Sequence, residues 1–508
     1  MLATTHSATP WGVDARLVQV EVDVSHGLPS HNIVGLPDAA VRESRERVRS
    51  AIKNSGFDLP PRVVVVNLAP ADLKKEGNHL DLSIALAHMA ALGNLETGLL
   101  EGRIFCGELG LDGSVRPVRG ALAIADVAAR HAYKELILPA ANAGEAAALG
   151  KLPVIPVRTF AELVGHLQGE AIAPQVAIPP SAGPIQADPP DLADVRGQRA
   201  AKRALEVAAA GGHNLLFIGP PGSGKTMLAR RLPGLLPPLS LAESIQVTKI
   251  YSLAAEEPPS TLVGVRPFRS PHAGTSTAGM VGGGTIPRPG EASLAHAGVL
   301  FLDELPEFRR DTLEGLRQPL EEGTITVVRT RARFDFPARF ALLAAMNPCP
   351  CGHLGDPRQS CRCPPPAIER YRGRVSGPLL DRIDLHVEVP AIGLGELRSP
   401  PDEKTVTVAA RVAAARVIQR QRFGEGCDTP FNAAMSSDQL RRFCRLEPPA
   451  SKLLDNAFER LRLSARALTR ILKVARTVAD LAGAELIGPL HIGEAIQYRT
   501  LDRRSQPS

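Results

Sequence analysis

The chain has 508 residues with a formal net charge of +6, 44% hydrophobic and 4% aromatic residues, and seven cysteines. That length supports three or four domains with cores of their own, and no apolar run approaches the about 18 residues needed to span a membrane. The mild positive charge permits a nucleic-acid partner without requiring one, and the scarcity of aromatics argues against a surface of many base-stacking platforms.

Residues 1–170 alternate strand-like runs (Leu17–Val24, Val63–Asn67, Glu135–Leu138) with helical ones (Ala39–Asn54, Leu80–Leu92, Ala121–His131), the pattern of an α/β or α+β domain. Met1–Trp11 lacks the charged and apolar regions of a signal peptide. Residues 171–190, AIAPQVAIPPSAGPIQADPP, read as an extended Pro-rich linker. Residues 191–395 show a βα alternation, and residues 402–500 are almost wholly helical, punctuated by Pro448-Pro449 and Gly488-Pro489. No internal repeat recurs at solenoid periods.

Within the third segment stands Gly219-Pro220-Pro221-Gly222-Ser223-Gly224-Lys225-Thr226, a complete GxxxxGK[ST] loop. Asn214–Ile218 before it reads as a buried strand and Met227–Leu232 after it as a helix closed by Pro233. Glycines let backbone N–H groups turn inward around phosphates, and the helix N-terminus adds its partial positive charge. Lys225 is expected to reach the β/γ-phosphates of a nucleoside triphosphate, ATP or GTP, and Thr226 to hold Mg²⁺.

Val299–Leu302 is an apolar run ending in Asp303 and Glu304, which a buried parallel strand presents at its C-terminal end. Asp303 is expected to bind Mg²⁺ and Glu304 to polarise the attacking water. A further strand, Phe340–Met346, ends at Asn347, which contacts the γ-phosphate, orients water between it and Glu304, or caps a turn before Pro348. Thr324–Phe340 reads as a β-hairpin carrying Arg329, Arg331 and Arg333 at period two, hence on one face. Pro267–Pro289 is a glycine-rich insert expected to be mobile. Cys349, Cys351, Cys361 and Cys363 fall within 15 residues, a set that suits a closed tetrahedral Zn²⁺ site or free thiols. An odd cysteine count with phosphate-loop chemistry points to a reducing cytoplasm, where disulfides do not persist.

The order of phosphate loop, VLFLDE, strand-Asn and Leu379-Leu380-Asp381-Arg382-Ile383-Asp384 resembles an AAA+ ATPase, more narrowly the magnesium-chelatase-like clade that includes the MCM helicases. The resemblance implies that Arg382 is the finger reaching a neighbouring subunit's ATP, the alternative being a salt bridge with Asp381 or Asp384. It implies a second sensing arginine opening a lid helix, Arg466 in Leu463–Ala467 or else Arg470, within a helix expected over Leu461–Leu481. The arginine hairpin corresponds to the pore hairpin that touches DNA in MCM-like relatives.

End to end, the chain is similar to the YifB/ComM family of bacterial magnesium-chelatase-like proteins. The likeness rests on Asn32–Asp38, Asn67–Asp72, Asp194–Gln198 and Ser270–Gly274 as well as the nucleotide motifs. It implies an N-terminal Lon-protease-like α+β domain, an AAA+ core with a parallel sheet and a C-terminal helical lid. It also implies a hexameric ATPase that drives branch migration of DNA junctions during integration of transforming DNA, with recombination proteins as partners. Lon proteases need a Ser in K-[DE]-G-P-S-A-G and a Lys in G-G-L-K. Here Lys75–Asp81 puts His79 at the serine position, and Arg119–Leu122 puts Leu122 at the lysine position, so the domain is expected to be non-proteolytic. A magnesium-chelatase motor and a Lon-like protease or protein remodeller are the rival readings.

Overall fold

The computed structural model describes residues 1–75, 77–177, 190–254, 259, 261–284, 288–329, 332–400, 402–424 and 431–499. It divides into two compact units. The first comprises Met1–Ile185, Ser240–Val265 and Thr326–Phe336, and the second Gln186–Leu239, Arg266–Ile325 and Pro337–Ser508.

The first unit is built on a mixed sheet. Its strands are β1 (Leu2–Trp11), β2 (Asp14–Ser25), β3 (Ser30–Val34), β4 (Val63–Ala69), β5 (Arg103–Phe105), β8 (Glu135–Pro139) and β9 (Val154–Val157), while β6 (Glu108–Leu109) and β7 (Val115–Arg116) pair separately. The strand order is β3-β4-β2-β1-β5-β8-β9. Strand β2 shows why it forms: Val18, Val20, Val22 and Val24 are buried at period two while Gln19, Asp23 and Ser25 are exposed. Helix Asp81–Leu92 is buried from Asp81 to Ala91, as a helix apolar on nearly every face must be, and it ends on Gly93 at φ +83°.

Helix Leu241–Ala254 belongs to this unit although it follows the phosphate loop in sequence. Lys249 Nζ lies 2.9 Å from Asp126 Oδ2, and Ser252 Oγ accepts the Gly120 N–H at 3.1 Å.

The second unit contains β10 (Leu215–Ile218), β11 (Phe268–Arg269) and β12 (Val299–Leu302). After the hairpin β13 (Thr324–Arg329) and β14 (Ala332–Pro337) come β15 (Ala341–Met346) and β16 (Leu385–Glu388). Five of these form a wholly parallel sheet in the order β11-β12-β15-β10-β16, with Leu215 opposite both Leu343 and Leu385. Every residue of β10 and β12 is buried, the near-continuous apolar signature of a sheet covered on both faces. One core joins this sheet (Leu215, Phe217) to helix Arg199–Gly211 (Leu205) and to the C-terminal helices Thr405–Phe423 (Val412) and Ala465–Leu481 (Ile471, Val474).

Three sequence expectations meet the structure here. The expected lid helix Leu461–Leu481 forms but starts four residues later, at Ala465: the preceding helix Pro448–Leu461 closes on Arg462 at φ +44°, and Ser464 Oγ accepts the Ala467 N–H at 3.1 Å to cap the new start. A side-chain cap therefore overrides unbroken apolar periodicity. The expected mobile insert Pro267–Pro289 supplies the edge strand β11 and a helical turn, Thr277–Val281, capped by Ser276. The arginine hairpin forms with β14 ending at Pro337, and Phe334 faces inward against the Trp11 ring at 4.8 Å while Arg333 and Asp335 face out.

Candidate nucleotide site

The phosphate loop hangs from the C-terminal end of β10, where parallel α/β sheets place ligands. Gly219 can only be glycine: a Cβ there would lie 2.1 Å from the Val389 carbonyl oxygen. Gly222 and Gly224 take φ of +73° and +90°, the left-handed region that turns successive amides to one side. Helix Lys225–Ala229 follows, two residues earlier than the sequence pattern placed it, because Gly224 ends the loop. Pro233 then sits in the first turn of the next helix, Leu232–Leu235.

Lys225 folds back over the loop. Its Nζ donates to the carbonyls of Gly219 and Pro220 at 2.8 and 2.9 Å and to Asn347 Oδ1 at 3.3 Å. Burial pulls its ammonium below the usual lysine range, opposed by the neighbouring Asp303 and Glu304 carboxylates. Thr226 Oγ1 donates to Asp303 Oδ2 at 2.7 Å, and the Glu304 N–H reaches Asp303 Oδ1 at 3.0 Å. Glu304 itself takes φ +53°, an unusual conformation for a non-glycine residue that turns the chain sharply out of β12. Asn347 thus engages Lys225 rather than merely capping a turn. Five expected residues (Lys225, Thr226, Asp303, Glu304 and Asn347) converge at one end of the sheet.

Arg382, Arg466 and Arg470 do not join them. The Arg382 carbonyl accepts from Asn214 Nδ2 at 2.8 Å, and the Asp384 and Leu385 amides donate to the Asn214 carbonyl. Asn214 precedes β10 and Gly219 follows it, so Arg382 is tied to the opposite end of the strand, roughly 16 Å from the loop at about 3.3 Å per residue. Its guanidinium bonds Glu321 and the Pro378 carbonyl, not Asp381 or Asp384, and its Nε is buried with no partner among the described residues. Arg466 is exposed, with Nη1 3.5 Å from Asp381, whereas Arg470 binds Asp384 at 3.0 Å and shares it with His213. All three arginines therefore cluster at the sheet end away from the phosphate loop.

Sequence reasoning missed Gln198, which latches the loop from outside. Its Nε2 donates to the carbonyls of Ser223 (3.2 Å) and Pro390 (2.7 Å) from a left-handed backbone at φ +54°. No local signal marks a latch whose two ends lie 25 and 192 residues away.

The four cysteines come together: all four Sγ atoms lie within 4.8 Å of one another, a group able to hold a metal ion. Of the three hairpin arginines, Arg331 and the side chain of Arg329 lie outside the described residues. Arg333 is exposed and pairs with Asp335 at 3.2 Å.

In the first unit the positions of the Lon dyad offer no nucleophile–base pair. His79 is buried, burial pushes its imidazole down to about 4, and its Nε2 has no partner among the described residues. Asp81 bonds Arg47 at 2.9 Å instead of His79, and Leu122 is fully buried. No described helix is long and apolar enough to cross a membrane.

Three family descriptions match in sequence order. "Subunit ChlI of Mg-chelatase" covers residues 20–142, "Magnesium chelatase, subunit ChlI" residues 191–397 and "Magnesium chelatase, subunit ChlI C-terminal" residues 402–499. The chain is 45% identical to the YifB protein of Salmonella typhimurium over 504 residues, covering 99% of this chain and 98% of the relative. It is 44% identical to the competence protein ComM of Haemophilus influenzae over 510 residues, 99% of each chain. It is 43% identical to the Rv2897c protein of Mycobacterium tuberculosis over 507 residues, again 99% of each. The chain belongs to the YifB/ComM family of magnesium-chelatase-like AAA+ proteins, a membership that implies ATPase activity with ATP and Mg²⁺.

Proposed function

We propose that this protein is an ATP-driven motor that acts on DNA as a ring, a hexamer by its family resemblance, working in the cytoplasm. The observation that carries the reading is the separation within one chain. Lys225, Thr226, Asp303, Glu304 and Asn347 gather at one end of the parallel sheet, while Arg382 is tied to the other through Asn214. An arginine so placed completes a neighbour's site rather than its own, so hydrolysis needs at least two subunits. Arg466, beside Asp381, is assigned to the same neighbouring site.

In this mechanism the backbone N–H groups of Gly222–Thr226 and the Lys225 ammonium would hold the phosphates, and Thr226 and Asp303 would hold Mg²⁺, which when bound would supply charge neutralisation to the phosphates. Glu304 accepts a proton from the attacking water, and Asn347 orients that water or the γ-phosphate. The neighbour's Arg382 stabilises the charge that develops on the transferred group.

DNA is the favoured load for two reasons: a relative is named a competence protein, and the hairpin segment carries Arg329, Arg331 and Arg333 in its sequence where a polypeptide-threading pore would carry aromatic and apolar residues. Branch migration of recombination junctions is the specific activity assigned. The loop Cys349–Cys363 is assigned a structural Zn²⁺. The test is conversion of a synthetic four-way DNA junction into duplexes by the purified chain with ATP and Mg²⁺. Conversion by the wild type and none by Glu304→Gln supports the reading. An active ATPase that leaves junction, fork and duplex untouched would defeat it.

A further inference from the structure

The four cysteines do more than sit near one another. Cys349 and Cys351 Sγ are 3.4 Å apart, Cys349 and Cys361 3.6 Å, and Cys351 and Cys361 3.7 Å. A disulfide would hold two sulfurs at about 2.05 Å, whereas four thiolates around Zn²⁺ at about 2.3 Å stand about 3.8 Å from one another. The Cys363 N–H also points at Cys361 Sγ at 3.4 Å, the kind of amide–sulfur bond that orients a metal-bound thiolate.

The surroundings of this cluster join it to the nucleotide site. Cys349 is fully buried and stands two residues after Asn347, whose Oδ1 receives Lys225 Nζ. The intervening Pro348 carbonyl is held by Arg372 through both Nε and Nη2, at 3.2 and 3.1 Å. Immediately before Asn347, the Met346 carbonyl accepts the Gly219 N–H at 3.2 Å. On the far side, Gly352 at φ +85° packs so closely on the phosphate loop that a Cβ there would lie 2.6 Å from Pro221 Cδ. The cysteine loop therefore touches the phosphate loop at Pro221 and supports Asn347, on which Lys225 rests.

We propose that Zn²⁺ held by Cys349, Cys351, Cys361 and Cys363 is a clamp on the nucleotide site, its occupancy setting ATP affinity by fixing Asn347 and the Pro221 turn. The inference rests on the structural-zinc reading above. Without the metal no common centre ties the four sulfurs together, so the loop loses its cross-link and its contacts with Pro221 and Asn347 loosen.

Zinc content, nucleotide affinity and fold are measured on the full chain. The purified reduced protein is expected to carry one zinc per chain by atomic emission. Stripping it with a thiol reagent and chelator should weaken binding of a fluorescent ATP analogue by about tenfold or more, and reduction with added Zn²⁺ should restore it. Gly352→Ala is the second variant, because it displaces the loop from Pro221 while leaving all four thiols in place. It should keep its zinc and still bind the nucleotide more weakly. A reduced chain that takes up no zinc overturns the metal site itself. Zinc bound normally, with nucleotide affinity unchanged both after stripping and in Gly352→Ala, overturns the clamp and leaves the metal reading standing. Should stripping unfold the chain, Gly352→Ala decides alone.

Discussion

Thr226 Oγ1 donates to Asp303 Oδ2 at 2.7 Å, joining the last residue of the phosphate loop to the first residue beyond β12. A hydroxyl and a carboxylate in direct contact offer the hard oxygen ligands that suit Mg²⁺, and a shared cation would replace their direct bond. Asp303→Asn should therefore raise the Mg²⁺ concentration for half-maximal ATPase activity by about tenfold or more. An unaltered Mg²⁺ titration would remove Asp303 from the metal site.

Lys225 and Glu304 should separate binding from chemistry. Lys225→Ala removes the buried ammonium that neutralises phosphate charge and should abolish measurable binding of an ATP analogue. Glu304→Gln keeps the shape of the site, so it should bind that analogue as the wild type does while hydrolysis falls by about 10²–10⁴-fold. Loss of binding in Glu304→Gln would mean that the residue supports the loop, not the water.

The position of Arg382 predicts complementation. Arg382→Ala and Lys225→Ala should each reduce ATPase activity by about 10³-fold or more, as expected of an arginine finger and a phosphate-loop lysine. Mixed together, they should regain activity, because an intact loop in one subunit meets an intact Arg382 in the next. A mixture no more active than its parts would place Arg382 in its own subunit's site.

Much of this site is legible in the sequence because its chemistry is local. A glycine loop between a strand and a helix, or two carboxylates after four apolar residues, is encoded within eight positions. What escapes is encoded at a distance. Gln198 reaches Ser223 and Pro390, and Lys249 reaches Asp126 across 123 residues to bring helix Leu241–Ala254 into the first unit. The break at Arg462 is a third kind of miss: Ser464 is a legible cap, but the apolar stripe runs through it. Asp381 and Asp384 are Arg382's near neighbours in sequence, whereas its actual partner Glu321 lies 61 residues away.

Glu145 gives the first unit a pH dependence. Burial lifts its carboxyl to about 8, against hydrogen bonds from Asn142 and Ser252. The folded chain holds this proton where the unfolded chain, titrating near 4.5, has lost it, so the folded state binds more protons and stability falls as pH rises toward 8. His31, His79 and His88, pushed down to about 4 by burial, act in the opposite direction below their ordinary 6.5. The clear window is thus pH 6.5 to 8, where the denaturation midpoint of the first unit should drop and Glu145→Gln should flatten the slope. Equal slopes in the two proteins would show that Glu145 does not carry the effect.

The most direct measurement of the central claim is steady-state ATP hydrolysis by the full chain with Mg²⁺ at low salt. It is run alone, with branched, duplex or single-stranded DNA, and with an unfolded polypeptide. The account predicts stimulation by DNA that weakens as salt rises, since the contacts are to phosphates, and none by the polypeptide. Stimulation by the unfolded polypeptide, with DNA of every form inert at low salt, would contradict it.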